Sequence, residues 1–224
     1  MRFHFKFVAA GIAAIGFSVG IAGSYEDFFR AINLDRPDIV QKLLEEGFEP
    51  NAPNPEGFDA LYLALRDGSL KSARVLIDWP KTNVDKRTDK DETPLMLACI
   101  RGQADVARRL IARGADVNKT GWTPLHYAAS SGQIEIIRML LDQNAYIDAE
   151  SPNGTTPLMM AAMYGTAEAV KLLLDAGADP SVKNQFGLRA AEFAKQAGRE
   201  DLAVGLDGAA KAFDLRYRNA SPQR

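Results

Sequence analysis

The chain has 224 residues, 46% hydrophobic and 25% charged, an ordinary globular composition with enough apolar material for one or two domains. Its 27 Lys and Arg nearly balance 29 Asp and Glu, giving a formal charge of −2, so no excess of positive charge argues for nucleic acid or an anionic membrane as partner. The single cysteine, Cys99, excludes an intrachain disulfide and leaves stability to packing.

The first element is an address. Arg2 and Lys6 open the chain, no further charge occurs until Glu26, and the apolar run between them ends in the small residues Ala22-Gly23-Ser24. A positive start, an apolar stretch and small residues at its end predict a secretory signal peptide over 1–24, cleaved near Ser24. The four glycines in the run make a weak spanning helix, so no stable membrane span is expected after cleavage, with an uncleaved anchor as the alternative. Cleavage takes the charge from −2 to −4, because Arg2 and Lys6 leave and no acid does. The Ala/Gly-rich leader is bacterial in style, which places the mature chain in the periplasm.

Two helix-like runs, YEDFFRAINL and DIVQKLLEEGF, follow within 25–57. A unit then repeats. Thr93-Pro94-Leu95-Met96-Leu97-Ala98-Cys99 returns as Thr123-Pro124-Leu125-His126-Tyr127-Ala128-Ala129 and as Thr156-Pro157-Leu158-Met159-Met160-Ala161-Ala162. Each copy reaches a glycine at one offset (Gly102, Gly132, Gly165) and continues into a second apolar run, VARRLIARGAD, IIRMLLDQNAY or AVKLLLDAGAD. A weaker copy with Asp-Ala in place of Thr-Pro starts at Asp59, and another starts at Arg189. Thr caps a helix whose first residue is Pro, glycine permits the turn, and Gly114, Asn144 and Gly177 end the second helix left-handed.

These motifs resemble the ankyrin repeat, whose signature is Thr-Pro-Leu-His-x-Ala-Ala, a glycine, and a Leu-Leu-x-x-Gly-Ala-Asp ending. The resemblance implies an all-α fold: an ankyrin-repeat solenoid of helix-turn-helix units with short β-turn fingers. It divides the chain into a degenerate N-terminal capping repeat at 25–57, ankyrin repeats at 58–186, a C-terminal capping repeat at 187–210 and a basic, flexible tail at 211–224. Pro124 to Pro157 is the usual 33 residues, whereas Pro94 to Pro124 is 30. The deficit falls in Asp116–Gly121, so that finger should be shortened and leave a notch beside Trp122. Trp79-Pro80 stands where a helix-ending glycine would be.

Chemistry finds few candidates. After cleavage one histidine and one cysteine remain, His126 and Cys99, which rules out a Cys/His zinc site. There is no GxxxxGK[ST] loop and no GxGxxG after a strand. Asp85, Asp116, Asp148 and Asp179 recur after the second helices and read as turn caps rather than calcium ligands. The expectation is therefore a non-enzymatic, monomeric protein with no cofactor and no metal, which binds a protein partner. The resemblance places binding on the concave face made by the fingers and the first helices. There the residue before each Thr-Pro and the two before each glycine include Phe58, Arg66, Glu92, Ile100, Arg101, Trp122, Met163 and Tyr164. Aromatic residues beside arginine are the composition of binding hot spots. Three roles stay open on this reading: an adaptor, an inhibitor or immunity protein acting on an envelope enzyme or toxin, and a membrane-tethered structural component.

Overall fold

The computed structural model of the chain describes residues 20–220. Most of the expected leader, residues 1–19, lies outside the described residues. The described part holds twelve helices and no strands. They pair as α1 (Gly20–Asn33) with α2 (Pro37–Glu45), α3 (Ala60–Asp67) with α4 (Leu70–Asp78), and α5 (Pro94–Ile100) with α6 (Ala104–Ala112). The remaining pairs are α7 (Pro124–Ser130) with α8 (Ile134–Asp142), α9 (Pro157–Tyr164) with α10 (Ala167–Asp175), and α11 (Ala190–Gln196) with α12 (Glu200–Ala220). Helix α1 thus runs through Ser24, where cleavage is expected. None of the described helices is long and apolar enough to cross a membrane.

Each first helix of seven or eight residues is too short to hold together alone, so its ends must be satisfied locally. Proline occupies the first position of α5, α7 and α9. The Thr93 and Thr156 hydroxyls accept the backbone N–H of Met96 and Met159 at 3.3 and 3.4 Å, and Asp59 does the same for Tyr62 at 2.8 Å. Single pairs cannot bury their apolar faces, so first helices stack on first helices and second on second. Ala64, Ala98, Ala128, Ala161, Ala162 and Ala194 are fully buried between the first helices. With methyl groups there, α5, α7, α9 and α11 approach one another closely. Leu61, Leu95, Leu125 and Leu158 fill the space between the rows, each burial stabilising the stack by about 2–3 kcal/mol. Cys99 is buried with them, which pushes its thiol pKa far up and makes it a packing residue.

The turn glycines do not all act alike. Gly68, Gly102, Gly132 and Gly198 have φ between 67° and 82°, a left-handed conformation that disfavours a side chain. Gly165 instead has φ −82° and ψ −163°, an extended conformation open to any residue. It is required by crowding: a Cβ there would lie 2.3 Å from the Ala129 carbonyl oxygen. Trp79-Pro80, which lacks the helix-ending glycine, is secured from the next repeat. The Arg113 guanidinium donates to the carbonyls of Ile77, Trp79 (3.0 Å) and Pro80 (3.3 Å).

The four recurrent aspartates split into two roles, two residues apart in register. Asp85 and Asp148 accept the backbone N–H of Asp116 and Asp179 in the next repeat, each at 3.0 Å. Asp116 and Asp179 cap their own turns through Asn118 and Ser181. Asn51 and Asn118 continue the first role, bonding Asn83 and Tyr146. A ladder of side-chain-to-backbone bonds therefore joins successive turns. Residues 211–220 continue α12, in keeping with the helix formers Ala212, Leu215 and Arg216 and with the burial of Ala203, Leu206 and Ala210 earlier in the same helix.

Candidate protein-binding face

The residue that precedes each first helix is held by the finger that leads into it. Phe58 stacks on Tyr62, with ring centroids 4.9 Å apart and planes 12° from parallel, and the Arg66 guanidinium lies over the Phe58 ring at 5.4 Å. Arg66 is fixed by Asp67 at 2.7 Å. The Tyr62 hydroxyl donates to Glu92 of the next repeat at 3.2 Å. Burial, and the Glu92 carboxylate behind it, raise the Tyr62 pKa, so the phenol stays neutral. Arg101 is exposed and makes no ion pair or side-chain hydrogen bond among the described residues.

Beside this lies a cavity of about 200 Å³, lined by Ile100, Trp122, His126, Tyr127, Ser130 and Met160. Its walls are mostly apolar, and its floor is rigid. His126 Nδ1 accepts the Thr123 N–H at 3.1 Å, and Nε2–H donates to the Thr155 carbonyl at 2.8 Å, which fixes the tautomer. Burial depresses the His126 pKa to about 4, so the ring is neutral near pH 7. The Trp122 indole meets the imidazole edge-on, with centroids 5.2 Å apart and an interplanar angle of 74°. Both ring nitrogens of His126 are thus engaged within the fold. The cavity is smaller than the roughly 300–1,000 Å³ of small-molecule sites, and suits one large side chain.

The structure thus gathers Ile100 and Trp122 at one cavity and Phe58, Arg66 and Glu92 in a neighbouring cluster. Met163 is half-buried against the core and does not line the cavity. Tyr164, at the end of α9, is 63% exposed. Four cavity residues, His126, Tyr127, Ser130 and Met160, are missing from the sequence-predicted set, as is Tyr62. All but Ser130 lie inside the motif, where a helix-face reading assigns them to packing. Tyr127 follows the motif histidine and Met160 its counterpart Met159, and that register was the available signal. Phe186, at the tip of the last finger, is 71% exposed and was likewise missed. No group of three or more His, Cys, Asp or Glu among the described residues could hold a metal ion.

Comparison with known proteins decides the family. The profile described as ankyrin repeats, three copies, matches at residues 28–120, 80–151, 118–184 and 143–203. The chain belongs to the ankyrin-repeat family. Ankyrin repeats are generally protein–protein interaction modules rather than enzymes. Rat "Ankyrin repeat and SAM domain-containing protein 6" is 33% identical over 98 residues, 42% of this chain and 11% of that protein. "Ankyrin repeat and KH domain-containing protein mask-1" of Caenorhabditis elegans is 36% identical over 159 residues, 69% of this chain and 6% of that protein. Mouse "B-cell lymphoma 3 protein homolog" is 28% identical over 155 residues, 66% and 35%. This ankyrin chain therefore spans only 6% to 35% of the length of these three relatives.

Proposed function

We propose that this chain is a non-enzymatic, monomeric binding protein of the periplasm, which grips a protein partner with the face made by its fingers and first helices. One observation carries the reading. The apolar cavity at Trp122 opens on the same face as exposed Ile100, Tyr164 and the unpaired Arg101. An apolar socket able to desolvate one side chain, walled by the rings of Trp122 and Tyr127, with an exposed arginine next in sequence to its lining residue Ile100, is the make-up of a binding hot spot. The family supports a protein as the ligand. The periplasmic part rests on the leader alone: two basic residues, an apolar run and Ala22-Gly23-Ser24.

Two measurements test these parts separately. Affinity capture from the native cell envelope should recover a partner with the wild-type chain. It should recover none with Trp122→Ala/Tyr164→Ala, whose far-ultraviolet circular dichroism stays that of the wild type. Retained capture by the folded double variant would sink the binding reading. For export, the intact mass of chain recovered from an osmotic-shock fraction should correspond to a protein starting near Ser24. Full-length chain confined to the spheroplasts would contradict it.

A further inference from the structure

In four fingers a short polar residue clamps the residue that precedes the first helix, gripping both its carbonyl and its N–H. Asn54, Thr88, Ser151 and Asn184 donate their backbone N–H to the carbonyls of Phe58, Glu92, Thr155 and Leu188 at 2.7, 3.0, 3.0 and 3.0 Å. Their side-chain oxygens accept the N–H of the same four residues at 2.9, 3.2, 3.0 and 3.0 Å. The clamped residues form the finger edge of the binding face. In the shortened finger that clamp is missing. Asn118, which stands at the clamp's four-residue offset from Trp122, is taken up by the ladder, bonding Asp116, Asn144 and Tyr146.

Lys119 fills the gap. Its side chain is 1% exposed, and its ammonium donates to the carbonyls of Thr120 at 2.9 Å and Trp122 at 3.2 Å. It also pairs with the Asp91 carboxylate in the preceding finger. Asp91 has φ 62°, and it occupies the turn position that Gly57, Gly121, Gly154 and Gly187 hold in the other fingers. An aspartate kept in a left-handed conformation there supplies the buried cation with its counter-charge, without which burial would be costly. An ammonium offers three donors from one atom, enough to replace a backbone N–H that the deletion removed.

We infer that Lys119 is the positioning residue of the Trp122 cavity: it substitutes for the lost clamp, fixes the backbone that carries the indole, and makes finger length a determinant of what the cavity accepts. The last clause rests on the proposed binding function; the positioning does not. The test reads the Trp122 indole N–H and the Ile100 and Met160 methyl signals by NMR, with thermal unfolding alongside. Lys119→Met should move all three signals and lower Tm by roughly 5 °C, the effect of losing charge-assisted hydrogen bonds in a chain of this size. Inserting Ala-Glu-Ser after Asn118 in that variant restores a full-length finger with a serine at the clamp position, and should return the indole signal and most of Tm. Asp91→Asn, which tolerates the same backbone, should shift the same signals less and in the same direction. That variant decides the question if Lys119→Met fails to fold. Unmoved Trp122, Ile100 and Met160 signals in folded Lys119→Met or in Asp91→Asn would overturn the positioning role, as would a restored finger that rescues nothing. Partner capture by the same variants is read separately. Loss of capture only when the signals move supports the specificity clause, and full capture with moved signals overturns that clause alone.

Discussion

Gly165→Ala is expected to destabilise the fold by about 3 kcal/mol, the range for overpacking a close-packed core. In denaturant, the unfolding midpoint should fall with its slope unchanged. The added methyl would sit 2.3 Å from the Ala129 carbonyl oxygen and 3.0 Å from the Cα and carbonyl oxygen of Ala161. Both neighbours are backbone, so relief requires separating α7 from α9. The separation would also disturb Arg199, whose guanidinium donates to the carbonyls of Ala161, Ala162 and Gly165 at 3.1, 2.9 and 3.0 Å. Gly68→Ala provides the comparison. There the backbone is left-handed but nothing lies within 4 Å of the new methyl, so the cost should be only about 1 kcal/mol. Equal effects of the two substitutions would show that the crowding at position 165 is relieved cheaply, and would contradict the assigned role of Gly165.

Acid should weaken the stack through His126. Its folded pKa is about 4 against an ordinary 6.5, so between those values the unfolded chain takes up a proton that the folded chain refuses. This contribution is fully present above pH 6.5, falls progressively as the pH drops to about 4, and then levels off. The total is about 3 kcal/mol at about 1.36 kcal/mol per unit. Burial raises the Asp85 and Asp148 carboxyl pKa values, and those groups work in the opposite direction at the acid end. The clean measurement is therefore the difference between wild type and His126→Gln in chemical denaturation from pH 7.5 to 4. The wild-type curve should be steeper by about that amount. Parallel curves would mean that the ring takes up its proton in place.

How much of this was legible in the sequence depends on which residues were asked to report. The motif at Thr93, Thr123 and Thr156 recurs at fixed offsets, and each of its residues acts locally, as helix cap, first-turn proline or narrow alanine face. That made the helix pairs and the shortened finger readable. Local rules stopped at the places where one repeat acts on another. Gly165 looked like its fellow turn glycines because crowding from Ala129 is not written near it. The aspartates looked like one series because their spacing is close to the repeat, and only the inter-turn hydrogen bonds separate the two positions. Lys119 carried no signal of burial, since an isolated lysine in a polar loop normally stays in water. Tyr127 and Met160 were absorbed by the motif that they also decorate. The alanine, leucine and arginine content of residues 211–220 favours the helix that forms there.

The claim on which the functional reading depends is that one face, centred on Trp122, supplies the binding energy. Titration of the captured partner into wild type and single variants by calorimetry measures this directly. Trp122→Ala and Tyr164→Ala should each weaken binding by at least about 30-fold, corresponding to the roughly 2 kcal/mol of a hot spot. Arg138→Ala, at an exposed position on α8 in the second-helix row, should leave the affinity unchanged. Wild-type affinity in both aromatic variants, together with a loss in Arg138→Ala, would place the partner on the other side of the stack and contradict the account.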